Sequence, residues 1–412
     1  MFVRLLLLVA SLSIPGASRA EETTAEKAGF APKFTIYLAK GAANACGVNC
    51  DRWIAVEGEV DRDAAARIRR FLAGVKDTQR PIYFHSPGGN VEQSYVIGRL
   101  LRSRKAIARV GRTIATACAA GTQVDAACLK IKNAGGELEA ELSTRGAMCN
   151  SACGYLFLGA ATREVAPDAA MGVHNSRLVF VVRGHPPAQA LADYRQRQML
   201  TADRERAAFL AAMGINRELN DLIRTVKFET MHLLTRPELY RFGIDTRPLP
   251  ETMWTLEKAA RPYIHKTALE RRDNGASFRM LEWRLFCENK DRARLMFVRE
   301  FDEGAAGKST VVMMAGADRF VAFGRYPARV GKYEVWSDTL ASAAVKAVSA
   351  MPHLQVGESM STSDGKAGLA TFDIDTTGLE PAWTQLLASC PVATTSPRPM
   401  GPLPSVSAAP AP

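Results

Sequence analysis

The sequence predicts an α/β protein: crossover units around a mainly parallel sheet over residues 34–250, then a smaller, mainly β domain with a helix or two over residues 262–392. Three observations carry this. Between Phe34 and Val110, strand-like and helix-like runs alternate in the rhythm of right-handed βαβ crossovers. Composition shifts near Pro248–Arg261, and short extended runs separated by turn residues follow. Between the two, Ser151 stands among small residues just ahead of the apolar run Tyr155 to Leu158, the way a chain presents a hydroxyl at the start of a buried helix.

The elements follow in order. Arg4, the apolar run Leu5 to Ile14 and the small residues of Ser18-Arg19-Ala20 read as an export signal over residues 1–20, cleaved after Ala20. That run is too short to span a bilayer, although a retained anchor is the competing reading. Residues 21–33 form a polar, flexible lead-in. Phe34 to Leu38 and Trp53 to Val56 are strands. A helix capped by Asp61 places Ala64, Ala65, Ile68, Phe71 and Leu72 on one face. The strand Pro81 to Phe84 leads into His85-Ser86-Pro87-Gly88-Gly89. Next come a helix bearing Tyr95, Leu100 and Leu101, and the strand Ala106 to Val110.

Residues 111–146 break the rhythm and read as an insertion of little period, able to cover a site. Ala170 to Val173 is a strand ending at His174, and Leu178 to Val182 is extended. Ala190 to Met213 and Glu218 to Val226 are helices. The C-terminal runs Trp283 to Phe286, Leu295 to Val298, Val311 to Met314, Phe320 to Phe323, Lys332 to Trp336 and Ala370 to Ile374 suit an antiparallel domain. Residues 393–412, rich in Pro, Ser and Ala, form a disordered tail.

The formal charge is +11, and loss of Arg4 and Arg19 with the signal lowers it to +9. Such a balance permits weak association with anionic envelope surfaces, though a basic soluble surface is the simpler reading. No basic stripe interleaved with aromatics is present, so nucleic acid is not an expected partner. The eight cysteines are an even set in an exported chain and point to disulfides. Cys287 and Cys390 stand apart and are expected to pair, as are Cys46 and Cys50. The partners of Cys118, Cys128, Cys149 and Cys153 stay open. No CxxC spacing or histidine cluster suggests a metal, and no cofactor is expected.

A serine nucleophile needs a base within reach and backbone donors for an oxyanion. His174 ends a strand 23 residues after Ser151. Gly88 and Gly89 follow a strand end, where a backbone without Cβ can approach a ligand closely. Functional groups of open α/β sheets gather at such ends. Alone, Ser151 reads as a helix cap, His174 as a structural histidine and Ser86-Pro87-Gly88-Gly89 as a turn. Their order and spacing together favour a site.

These residues resemble a known family. Ser86-Pro87-Gly88-Gly89, the serine at a helix start, Phe157-Leu158-Gly159-Ala160, Arg163 and the strand ending in His174 are similar to the ClpP fold of the ClpP/crotonase superfamily, a spiral of βαβ units. Exported ClpP-like proteins, with Cys-x-Ser-Ala-Cys at the nucleophile and Cys-x-x-x-Cys near the start, are most similar. The resemblance spans about residues 34–247. It implies Ser151 as nucleophile, His174 as general base, and the N–H groups of Ala152 and Gly89, with Gly88 beside it, as the oxyanion hole. The family's acid column falls on Met231. Glu229 is the nearest carboxylate, Asp221 and Asp245 are weaker candidates, and a Ser–His dyad is the alternative. The family's handle helix corresponds to Ala190 to Met213, through which copies could associate.

The expected function is therefore an exported (periplasmic or secreted) serine hydrolase, a peptidase acting on peptides or proteins. One alternative is a ClpP-like scaffold with a degraded site that binds peptides or envelope partners. The other is a crotonase-type acyl-CoA enzyme, against which an exported location and the Ser–His pair argue. The C-terminal domain is expected to be a binding module, closed by a helix before Cys390.

Overall fold

The structure, a computed structural model, describes residues 32–178, 184, 187–301, 310–315, 318–323, 327–361 and 367–391. The export signal, nearly all of the lead-in, the extended run after Leu178 and the C-terminal tail lie outside the described residues.

The α/β part comprises β1 (Thr35–Lys40), β2 (Arg52–Glu57), α1 (Ala64–Gly74), β3 (Ile82–His85), α2 (Val91–Ser103), β4 (Ile107–Val110), β5 (Arg112–Ala115), α3 (Ala126–Lys132), β6 (Glu137–Ser143), β7 (Met148–Asn150), α4 (Ala152–Leu158), β8 (Thr162–Glu164), β9 (Ala170–Val173), α5 (Ala188–Ala212), α6 (Glu218–Thr225), β10 (His232–Leu233) and α7 (Arg236–Arg241). Two sheets form among the described residues. The larger runs β5-β6-β1-β2-β3-β4-β8, and the smaller runs β10-β9-β7. A bridge between Ser86 and Cys149 joins the end of β3 to β7, so the sheets meet at the candidate site.

Strand β2 shows why the large sheet lies in the interior. Trp53, Ile54, Ala55 and Val56 are all buried, the signature of a strand covered on both faces. Ile54 and Val56 face the main core with Phe84, Ile68 and Phe157, whereas Trp53 and Ala55 face a smaller one with Tyr37 and Tyr83. Helix α4 is apolar all round, and each of its residues is buried. Truncating Phe157, which meets Phe84 edge-on at 6.2 Å, would remove about 3–5 kcal/mol of packing.

The larger sheet is mainly parallel: β1-β6, β2-β3, β3-β4 and β4-β8 run parallel, whereas β5 runs antiparallel to β6 and β1 antiparallel to β2. Strands β1 and β2 are joined directly by a loop stapled by the Cys46–Cys50 disulfide, with no crossover helix to reverse the chain. Residues 111–146 are not an irregular cover over the site. β6 pairs in parallel with β1, and β5 pairs with β6, which extends the sheet at the edge away from β3. Leu138, Ala140 and Leu142 turn toward the Trp53 core, and Trp53 Nε1 donates to Thr113 Oγ1 at 2.9 Å. Disulfide Cys118–Cys128 closes the intervening loop and α3.

The C-terminal part contains β11 (Thr255–Glu257), β12 (Tyr263–Arg272), β13 (Ser277–Asn289), β14 (Arg292–Glu300), β15 (Thr310–Ala315), β16 (Asp318–Phe323), β17 (Ala328–Val330), β18 (Tyr333–Ala341), α8 (Ser342–Ser349), β19 (His353–Ser361), β20 (Ala367–Asp375) and α9 (Leu379–Ala388). Two antiparallel sheets result, β11-β12-β13-β14-β18-β17 and β16-β15-β19-β20. Their core is built on Trp283, Phe297 and Trp336, closed by Trp383 of α9, and disulfide Cys287–Cys390 ties the end of that helix to β13. Beneath it lies Lys266, fully buried, with its ammonium 3.0 Å from Glu251 and 3.1 Å from Asp375. Both parts belong to a single compact unit that begins at Pro32.

Candidate active site

Ser151 sits at the turn from β7 into α4 with φ 54° and ψ −125°, a conformation that L-residues rarely adopt. Such a backbone costs of order 1–3 kcal/mol and persists only where its surroundings enforce it. Here four constraints do so. The Ser151 N–H donates to the Gly172 carbonyl at 2.8 Å, and its carbonyl accepts from Gly154 N–H at 2.9 Å. Asn150 N–H donates to the Ser86 carbonyl at 3.0 Å. Disulfide Cys149–Cys153 straddles the turn, one sulfur on β7 and the other in the first turn of α4, both buried. The result is a sharp strand-to-helix turn with Ser151 at its tip, its side chain making no cap hydrogen bond to α4.

Strand β9 brings His174 to the same place. β7 and β9 run parallel with Asn150 opposite Gly172, so the residue just past β9 arrives beside that turn. His174 Nε2 lies 2.6 Å from Ser151 Oγ, a short hydrogen bond between imidazole and hydroxyl. Beneath them is an apolar recess of ≈ 10 Å³ lined by Tyr155, Leu158, Met171, Val173, Leu219 and Ile223, room for about one water.

The glycine loop closes the third side. Gly88 has φ 109°, and a Cβ on it would lie 2.7 Å from the Asn150 carbonyl, 2.7 Å from Ser151 Cβ and 2.9 Å from Ala152 N. Its own N–H donates to Ser86 Oγ at 3.2 Å, so Gly88 serves by close approach and not as a donor. Val60 N–H bonds the Gly88 carbonyl and Asn90 N–H bonds the Val60 carbonyl, both at 2.7 Å. This bridging pattern turns the Gly89 N–H to the edge away from Val60. Ala152, the first residue of α4, has an N–H with no partner inside the helix.

The third group expected of a triad does not join the site. The register of β10 on β9 pairs His232 with Val173 and Leu233 with Gly172, and one further step puts Met231 opposite His174. Met231 packs so tightly on Gly172 that a Cβ there would lie 2.7 Å from its Sδ. His174 Nδ1 is buried and has no hydrogen-bond partner among the described residues. Glu229, the sequence candidate for the orienting acid, stands exposed in the turn before β10, two residues short of the position facing His174. Asp221 is exposed on α6. Asp245 is buried but accepts from Val165 N–H, Arg236 and Arg247 at 2.9, 3.0 and 2.6 Å. Burial pushes its carboxyl up, and the two guanidiniums outweigh this and hold it below the usual carboxylate range.

Two features near the site escaped the sequence reading. Phe228 lies with its ring 5.0 Å from the His174 imidazole; a lone aromatic in the polar turn Lys227 to Thr230 was the signal. Behind His174, Asn175 Oδ1 accepts from buried Arg206, which also contacts Asp203 and Asn220. That cluster fixes the chain just past His174, and nothing in residue spacing marked it.

No protein-family model and no curated protein matches the chain. Among solved structures it is similar to a mutant of a membrane-bound stomatin-specific protease, 14% identical over 45% of this chain and 73% of that one, with a TM-score of 0.28. A ClpP1 mutant from Listeria monocytogenes is 15% identical over 46% of this chain and 85% of that one, with a TM-score of 0.26. Invasion associated protein B from Bartonella henselae is 11% identical over 33% of this chain and 93% of that one, also with a TM-score of 0.26. Likenesses this distant carry no argument about activity, which rests on the residues of the site.

Proposed function

We propose that this protein is an exported serine hydrolase that cleaves peptide bonds, with Ser151 as nucleophile and His174 as general base. The observation that carries the reading is the 2.6 Å contact between Ser151 Oγ and His174 Nε2 on a strained elbow. In this reading Oγ attacks the scissile carbonyl as Nε2 takes the hydroxyl proton. The carbonyl oxygen, now negative, accepts from the N–H groups of Ala152 and Gly89, each worth about 10²–10³ in rate. The imidazolium then returns the proton to the leaving amine, and water resolves the acyl-enzyme by the same route. Four disulfides support an oxidising compartment. Among the described residues no helix is long and apolar enough to cross a membrane.

The test is cleavage of a peptide library by the chain lacking residues 1–20, followed by mass spectrometry. Internal cleavage that disappears in Ser151→Ala supports the proposal, and an unchanged library contradicts it.

A second reading is a peptide-binding scaffold whose site no longer turns over. It is favoured by the unpartnered Nδ1 of His174 and by Met231 where an acid would stand. Binding of library peptides without cleavage would select it. We also propose that copies associate through α5, whose Met199 and Leu200 are 59% and 50% exposed; light scattering on the mature chain reads this directly.

A further inference from the structure

We propose that Phe228 is a positioning residue for His174, its ring face doing the orienting that a carboxylate does in a Ser–His–acid triad. This rests on the hydrolase reading above. The torsion that sets an imidazole's plane is soft and roughly two-fold. A hydrogen bond at the second ring nitrogen ordinarily selects one orientation. His174 Nδ1 has no such bond among the described residues, so the imidazole is held at Nε2 by Ser151 Oγ and otherwise by packing.

Phe228 is the aromatic ring packed against that imidazole among the described residues. Its ring centroid lies 5.0 Å from that of His174, with the planes tilted by 40°, within the range of favourable aromatic pairs. Phe228 as a residue is 41% exposed and stands outside the apolar core. The turn that carries it is anchored to the base itself. Asn175 N–H, one residue past His174, donates to the Val226 carbonyl at 3.0 Å. Val226 N–H in turn bonds the Ile223 carbonyl at 3.3 Å, and Thr230 N–H bonds the Lys227 carbonyl at 3.1 Å. Phe228 is thereby held at the tip of a closed turn. The Arg177 guanidinium lies 5.8 Å from the same ring, a cation–π contact that restrains it further.

The experiment compares Phe228→Ala, Phe228→Leu and Phe228→Tyr with the wild-type mature chain in two ways. The first is the rate and affinity of inactivation by a fluorophosphonate. Phe228→Ala should slow the limiting rate roughly 3- to 10-fold with inhibitor affinity and Tm unchanged. Phe228→Tyr should restore the rate and Phe228→Leu should not, since Leu keeps the apolar bulk and loses the planar face. A Phe228→Ala rate equal to wild type, or an effect confined to affinity, overturns the proposal. The second is the crystal structure of Phe228→Ala, which decides even if wild type does not react. A displaced imidazole supports the proposal; one that keeps its 2.6 Å contact with Ser151 overturns it. An unreactive wild type with a displaced imidazole in the variant would instead count against the hydrolase reading alone.

Discussion

Gly88 packs against Ser151 so closely that a Cβ added at Gly88 would lie 2.7 Å from the Ser151 Cβ. Two loops from separate sheets meet at that contact, and the glycine's φ of 109° excludes a side chain independently of space. Gly88→Ala should fold and should lose activity by at least about 10²-fold, because displacing the elbow by even 1 Å misaligns the nucleophile. Inactivation kinetics alongside circular dichroism check this; a folded Gly88→Ala with wild-type reactivity would show that the contact is incidental.

Met231 comes opposite His174 by the β9–β10 register, where the proposed mechanism would place an orienting acid. Facing side chains in such a pair start about 4.5–5.5 Å apart. A carboxylate of similar length at this position can accept from Nδ1–H, and half-exposure spares it the full desolvation penalty. Met231→Glu should therefore raise the inactivation rate by about 10-fold or more, a part of the ~10⁴ that a correct orienting acid supplies. Met231→Leu should leave the rate unchanged. If Met231→Glu gives no gain, the absence of an acid does not limit this site.

His85 carries a pH dependence of stability. Its Nδ1 accepts from Met148 N–H at 3.2 Å, linking the end of β3 to β7. Burial, aided by the nearby charges of Arg112 and Lys132, pushes the imidazole down from 6.5 to about 4. The unfolded chain takes up this proton at higher pH than the folded chain does. The stabilisation is therefore fully present above about pH 6.5 and is lost as pH falls toward 4. His85→Asn keeps an acceptor and removes the titration, so the fall in Tm across that window should become shallower. Parallel melting curves for the two proteins would contradict the assignment.

Much of the candidate site was legible because its signals are local. Ser151 before an apolar run, Gly88-Gly89 after a strand and His174 at a strand end each leave a mark in a few residues, and the structure brings them together. What was not legible depends on register and on long-range pairing. Within residues 111–146, β6 alternates polar and apolar as a strand covered on one face does, yet its partner is β1, about a hundred residues earlier in the chain, and no local pattern names that partner. Glu229 and Met231 differ by two positions, and the β10 register alone decides which faces His174. The pairing of Cys149 with Cys153 follows from the tight turn between β7 and α4, which sequence separation by itself did not fix.

The central claim is that Ser151 is a nucleophile activated by His174, and the most direct measurement is the site of covalent modification by a fluorophosphonate, read by mass spectrometry on the mature chain. A single adduct on Ser151 is expected in the wild type and none in folded His174→Ala. A folded wild type with no adduct, or an adduct at Ser151 that persists undiminished in His174→Ala, would contradict it.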